Sequence, residues 1–379
     1  MKPAPDRPLP DRLARLPQQY FAALLARVSE AAAKPGPPVV DLGRGNPDVP
    51  PPPHVAARLA EAAASRESRT HGYAPFAGLR SLKEAVAGRY RTVYGVELDP
   101  EREVAVVPGT KTALVEVALC TAGPGDSIVL PDPGYPDYFS AVALAGARLA
   151  QLPIDPRPDF GEAPDAAALY LNYPSNPAAL AAPDGVFADA VAYAERTGTL
   201  VLHDFAYGDL VFDGRTPASF LAEPGAREAG AELFSMSKSY GMAGWRLGFV
   251  VGNAELVRRL ELLSDHVRAG IFAPLQEAAI AALTGPQDTV EERRAVYEAR
   301  RDRVVAALPG ARSEGTFFAW WALPDGLTVE RVLDEARVAL APGEGFGPSG
   351  AGHARISLAV PDDALDEGLE RLRGLLGRG

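Results

Sequence analysis

Lys238 sits in the run Ser235-Met-Ser-Lys-Ser-Tyr-Gly-Met-Ala-Gly-Trp-Arg246-Leu-Gly-Phe249, with Ser235 and Ser237 before it and Arg246 after it. A lysine whose pKa is pulled down can condense, as the free amine, with an aldehyde to form a Schiff base. Serine hydroxyls and a planar, permanently charged guanidinium are what a phosphate group attracts. The run therefore suits a small molecule that carries both an aldehyde and a phosphate. Most lysines in polar loops are simply solvated, but the flanks here argue for burial. Leu233-Phe234 on one side and Leu247-Gly-Phe-Val-Val251 on the other read as two buried strands around the loop.

Such a group needs a scaffold to aim it. Short apolar runs near 104–107, 127–130, 168–171, 199–202, 232–234 and 248–251 alternate with helical patterns near 112–120, 138–144 and 187–197. This alternation predicts an α/β protein: a large three-layer domain with a mostly parallel sheet covered on both faces. Ligands of such sheets bind beyond the carboxyl ends of the strands. The chemical residues fall there. Asp204 ends the strand that begins near Thr199, and Gly109-Thr110-Lys111 lies between a strand and the next helix. Backbone N–H groups at a helix start, a hydroxyl and the helix dipole together make an anion site.

Helical patterns also fill 55–64 and 79–94, and they dominate from Asn253 to Leu308 with breaks near 270–274 and 285–286. The tail, with apolar runs at 317–323, 338–341 and 354–360 and a final helix, predicts a smaller α+β domain, joined by an N-terminal helix around Tyr20 to Val28. The expected division is 46–274 for the large domain, and 1–45 with 275–379 for the small one. The proline-rich residues 1–15 are expected to be extended.

A chain of 379 residues is too long for one small core. A net charge of -11 disfavours a nucleic-acid or anionic-membrane partner. Cys120 is the single cysteine, so no disulfide framework exists, which points to the reducing cytoplasm. The opening Met1-Lys-Pro-Ala-Pro-Asp-Arg7 lacks an apolar signal core, and no apolar run approaches a bilayer span. His54, His71, His203, His266 and His353 show no ligand spacing, so no metal site is expected.

An aldehyde and a phosphate on one molecule describe pyridoxal 5′-phosphate. The lysine run resembles the signature of the class I/II pyridoxal-phosphate-dependent aminotransferases, of fold type I. Further runs resemble the same family in the same order: Leu42-Gly-Arg-Gly-Asn-Pro-Asp48, His71-Gly-Tyr-Ala-Pro-Phe-Ala-Gly78, Pro131-Asp-Pro-Gly-Tyr-Pro-Asp137, Leu171-Asn-Tyr-Pro-Ser-Asn-Pro177, His203-Asp-Phe-Ala-Tyr-Gly-Asp209 and Arg355-Ile-Ser357. The resemblance implies exchange of an amino group between an amino acid and a 2-oxo acid, in a homodimer.

It also implies roles. Lys238 would bind the cofactor and then serve as the base, Asp204 would keep the pyridine nitrogen protonated, and Tyr207 with Asn176 would hold the ring hydroxyl oxygen. Tyr135 would stack on the ring. Gly109, Thr110, Ser235, Ser237, Arg246 and, from the neighbouring subunit, Tyr73 would hold the phosphate, and Lys111 would either reach it too or stay solvated. Arg355, beside Gly45 and Asn176, would anchor the substrate carboxylate. One departure is Ala178-Ala179, where the family usually has Thr-Gly; alanine tolerates positive φ poorly, which puts the loop geometry in question. A β-lyase or decarboxylase is the alternative, since the same lysine and aspartate serve those reactions. A non-catalytic ligand sensor usually carries a basic DNA-binding extension, and none is present. Phe21, Phe272 and Trp320 are candidate apolar walls for the side-chain pocket. No second arginine stands out as a partner for a distal carboxylate, so a neutral or apolar substrate is expected.

Overall fold

The computed structural model describes residues 8–377. Its centre is a seven-stranded sheet in the order Val104–Val107, Gly248–Gly252, Gly230–Ser235, Leu200–Asp204, Ala168–Leu171, Ser127–Asp132, Arg148–Pro153. All run in one direction except Gly248–Gly252, which is antiparallel to both neighbours.

The near-continuous apolar character of these strands reflects burial on both faces. Alternate residues feed two separate cores. Val104, Val106, Leu169 and Leu171 pack with the helices Pro53–Ala63, Arg80–Arg89, Val186–Thr197 and Ala273–Thr284. Ala105, Val107, Ala168 and Tyr170 pack on the other side, with Thr110–Thr121, Asp137–Ala145 and Ala254–Val267. The period of two in the side chains thus builds the three layers.

Because the strands are parallel, their carboxyl ends share one edge. Asp132, Asp204 and Ser235 each end a strand there. A third core lies at the antiparallel sheet of Ala341–Pro342, His353–Ser357, Phe318–Ala322 and Ala311–Arg312, with helix Asp362–Leu376 packed among the same apolar residues. Val40–Asp41 pairs in parallel with Val338–Ala339, which ties the N-terminal segment to this C-terminal core.

Three details depart from expectation. The strand Arg148–Pro153 gave no signal because it is an edge strand: Leu149 is exposed, and polar residues break the apolar run. Ala278, Ala279, Ala282 and Leu283 lie in the core under the large sheet. Helix Ala273–Thr284, expected to belong mostly with the small domain, thus packs with the large sheet. Within the proline-rich opening, Asp11–Ala14 forms one helical turn instead of an extended segment; residues 1–7 lie outside the described range.

Candidate active site

A cavity of about 420 Å³ opens at the carboxyl edge of the large sheet, lined also by Phe318 and Arg355 of the four-stranded sheet. That size suits a small-molecule site. Gly45, Thr110, Lys111, Tyr135, Asn176, Asp204, Tyr207, Ser235, Ser237, Lys238, Arg246 and Arg355 all line it, although they come from segments spread over most of the chain. Two expected residues do not. Gly109 lies just behind Arg246, and Tyr73 is 89% exposed outside the cavity.

Lys238 is in the short helix Met236–Ser239, started by Ser235, whose hydroxyl accepts from the Ser237 N–H at 3.2 Å. Its Nζ stands 4.9 Å from the Phe317 ring centre and 5.7 Å from that of Tyr207. Loss of water, with Arg246 and Arg355 nearby, lowers its pKa from 10.5 to about 8, against a smaller opposing pull from Asp204. The amine is therefore available at mildly alkaline pH.

Asp204 is buried, and that burial raises its pKa. The Tyr138 hydroxyl donates to its Oδ2 at 2.8 Å and the Ala206 N–H to its Oδ1 at 3.2 Å. The Asn172 amide donates to the Asp204 carbonyl at 2.7 Å, and its other end accepts from the Asn176 N–H at 2.7 Å. One asparagine thus sets two strand ends against each other. Tyr135 stands with its ring 5.6 Å from Tyr138 and 6.0 Å from Phe21, as part of the cavity wall.

Gly109 takes φ +83 at the start of helix Thr110–Thr121, and a Cβ there would come within 2.6 Å of the Arg246 guanidinium. Only glycine lets that arginine lie against the helix start. Arg246 itself is left-handed, at φ 58, and its Nη1 donates to the Ala243 carbonyl at 2.8 Å. Lys111 ion-pairs with Asp137 at 2.9 Å.

Arg355 is 1% exposed. Its Nη1 donates to Asn176 Oδ1 at 2.8 Å and its Nη2 to the Gly43 carbonyl at 3.1 Å, while Nε has no partner. The guanidinium lies 3.9 Å from the centre of the Phe318 ring. No acidic side chain among the described residues pairs with it, and burial depresses its pKa. Gly45 permits this packing, since a Cβ would meet Phe318 at 2.6 Å. The Ala178-Ala179 turn closes with Ala179 at φ 55 and its N–H bonded to the Ser175 carbonyl at 2.9 Å, so Asn176 keeps its place beside Arg355.

Sequence reasoning missed Tyr138, Asn172, Phe318 and Arg44, all at or beside the cavity. Asn172 stands in the motif run Leu171 to Pro177, and Tyr138 is three residues past Tyr135. Of the three candidate pocket walls only Phe21 lines the cavity. Phe272 is 47% exposed and faces His71, while Trp320 is buried against Phe346 and stacked on His353. Among the described residues no helix is long and apolar enough to cross a membrane, and no cluster could hold a metal ion.

The site brings together a lysine amine, a helix start with an arginine packed against it and a buried carboxylate. Residues 37–372 match the family described as aminotransferase class I and II. The chain is 42% identical, over 95% of its own length and 94% of the relative's, to L-glutamine–4-(methylsulfanyl)-2-oxobutanoate aminotransferase of Bacillus subtilis. It is 38% identical to LL-diaminopimelate aminotransferase of Moorella thermoacetica, over 97% and 98% of the two chains. The structure of substrate-bound BacF from Bacillus subtilis superposes with a TM-score of 0.90 at 37% identity, covering 97% and 98% of the two chains. The chain belongs to the class I and II aminotransferases and is a pyridoxal-phosphate-dependent transaminase. The cavity fits that cofactor on its own evidence: an arginine, Arg246, that glycine at 109 lets lie against a helix start, a lysine of lowered pKa, and a buried carboxylate fixed by Tyr138.

Proposed function

We propose that the enzyme moves an amino group between a neutral amino acid, such as glutamine, methionine, alanine or an aromatic one, and a 2-oxo acid. The observation that carries this reading is Arg355: a buried guanidinium without a carboxylate partner, in the same cavity as an amine held near pKa 8. Burying an unpaired cation is costly, so the arrangement suits an anion that arrives with the substrate. Phe21, Leu24 and Leu25 form an apolar wall nearby, and similarity to an enzyme that acts on glutamine and a methylsulfanyl oxo acid favours the same side-chain class.

In this reading the Lys238 amine would hold the cofactor by its aldehyde and would be the group that moves the proton at the substrate Cα. Asp204 keeps the ring nitrogen protonated. Tyr207 and Asn176 would hold the ring hydroxyl oxygen, and Tyr135 would pack on the ring. Ser235, Ser237, Thr110, Arg246 and the helix start at Gly109 take the phosphate, with Lys111 beside them, and Tyr73 reaches it from a second subunit. Arg355, with Gly45 and Asn176 alongside, orients the α-carboxylate. Bound pyridoxal phosphate supplies the electron sink for the charge left at Cα.

A panel of amino donors against 2-oxo acid acceptors tests the reading. Transfer from glutamine or methionine is expected. A 2-oxo product formed without any acceptor, or carbon dioxide release, would instead favour the lyase or decarboxylase alternative.

Asp204→Asn is expected to keep the fold and lose activity by on the order of 10²–10³-fold, the scale of removing one preorganised charge partner. Asp204→Glu should lose less. Equal rates for Asp204→Asn and the parent enzyme in the same panel would take Asp204 out of the mechanism.

The active unit in this reading is a cytoplasmic homodimer with two composite sites. Tyr73 supports it, being 89% exposed in the single chain, with Phe76, Val267 and Phe272 also exposed. Mixing inactive Tyr73→Ala and Lys238→Ala subunits should regain activity, since one hybrid site receives both intact residues. A fully active monomer in sedimentation at assay concentration would refute the composite site.

A further inference from the structure

We propose that Arg89 is a positioning residue for amino transfer: from outside the cavity it holds the turn that carries Tyr207 and the short helix that carries Lys238 in a fixed relation. This rests on the roles given to Lys238 and Tyr207 above and deepens them. Arg89 ends helix Arg80–Arg89 and is buried without lining the cavity. Its Nη2 donates to Asp209 Oδ1 at 2.5 Å, and its Nη1 to the Tyr240 hydroxyl at 2.8 Å. Asp209 is two residues past Tyr207, and Tyr240 is two past Lys238. One guanidinium thus ties together two segments whose side chains meet in the cavity, with the Lys238 Nζ 5.7 Å from the Tyr207 ring centre.

Both attachments are made to stiff pieces of chain. The Gly208 N–H donates to the Phe205 carbonyl at 3.2 Å and the Leu210 N–H to the Tyr207 carbonyl at 2.8 Å, so Asp209 sits in a tight turn with Tyr207. Tyr240 caps the helix Met236–Ser239, and its N–H donates to the Met236 carbonyl at 3.3 Å. The Tyr240 hydroxyl donates onward to Gln287 Oε1 at 2.9 Å, and the Gln287 amide is itself bonded to the Ala282 and Gly285 carbonyls. After Arg89 the chain makes one π-helical turn, Tyr90–Tyr94, and the Tyr94 hydroxyl stands 3.4 Å from Asp209 Oδ1. Well-packed apolar residues would stabilise this core as well as a buried ion pair does, so stability alone does not account for the pair. What a guanidinium adds is direction, since its N–H groups form a rigid planar fork. Direction matters here, because a misplacement of about 1 Å at reacting groups can cost about 10²-fold in rate.

The test compares Tyr240→Phe, Arg89→Lys and Arg89→Met with the parent. Tyr240→Phe removes one hydroxyl and leaves the ring and the Arg89–Asp209 pair in place. It is expected to fold, since Arg293 Nε also holds the lysine helix, by the Ser239 carbonyl at 3.2 Å. In the holoenzyme kcat should fall about tenfold in Tyr240→Phe and about 10²-fold in Arg89→Met, with Arg89→Lys between Arg89→Met and the parent. KM for donor and acceptor should stay within about twofold, because Arg355 is untouched. Adding Tyr240→Phe to Arg89→Met should cost nothing more, as both cut the same bond. The second readout is the full chain without cofactor. There the midpoint for amine-directed modification of Lys238 should rise from about 8 to about 9 in Tyr240→Phe and Arg89→Met, as the amine loses its fixed, dry position. If Arg89→Met does not fold, Tyr240→Phe and Arg89→Lys carry the test. A kcat and a midpoint equal to the parent's in Tyr240→Phe, or losses that add in the double variant, overturn the proposal whatever happens to Tm. Borohydride label absent from Lys238 in the parent would instead remove the reading on which it rests.

Discussion

Lys238→Ala should keep pyridoxal phosphate in the cavity yet lose amino transfer by at least about 10⁴-fold, the upper range for losing a positioned base. Borohydride treatment of the yellow parent enzyme, with peptide mapping afterwards, should put the label on Lys238. Label on another lysine, or none, would refute the assignment. The cofactor-free protein offers an independent check. Lys238 titrates near 8 there rather than 10.5, so an amine-directed reagent should modify it with a midpoint near pH 8. The same shift has a stability consequence. Below pH 8 the amine is protonated in both folded and unfolded chains, and the folded chain bears the full penalty, up to about 3 kcal/mol. Between 8 and 10.5 the unfolded chain binds more protons, so stability rises with pH across that window. Cofactor-free Lys238→Met should therefore be more stable than the parent at pH 7, with the difference shrinking towards pH 10.5. A constant difference over that range would mean the lysine is not desolvated.

Much of this site could be read from the chain because each run is local: strand end, turn, then helix start. Gly109-Thr110, Asp204 and Ser235 stand out because each comes directly after, or at the end of, an apolar stretch. Contact across elements could not be read in the same way. Tyr138 reaches Asp204 over 66 positions and Arg355 reaches Asn176 over 179, and neither spacing leaves a pattern. Trp320 shows the same limit, since an aromatic in a buried strand can face the cavity or the far side, and it stacks on His353 instead. Arg44 is plain in the sequence, but nothing local marks it as a wall of the cavity. Helix Ala273–Thr284 packs under the large sheet through small alanines, which carry little signal about the core they join.

Every amino acid and 2-oxo acid in transamination has an α-carboxylate, so the residue that anchors it must serve both half-reactions. Arg355→Ala should lower kcat/KM for donor and acceptor alike, by roughly 2–5 kcal/mol, as for truncating one side of a buried charge pair. The local geometry says why lysine is a poor replacement. Two N–H groups of the guanidinium are already spent on Asn176 and Gly43, and Phe318 packs on its face at 3.9 Å. That leaves the remaining N–H groups, fixed in direction, for the incoming carboxylate. A lysine would keep the charge but could not fill those bonds and present a flat edge at once. Arg355→Lys should therefore fall nearer to Arg355→Ala than to the parent. Cofactor affinity, measured by absorbance during dilution, should change little, because the proposed phosphate holders, Ser235 and Arg246, are separate from Arg355. If Arg355→Ala weakens only one substrate, the two half-reactions use different anchors. If it strips the cofactor, Arg355 belongs to the cofactor site, and the carboxylate anchor must lie elsewhere on the wall.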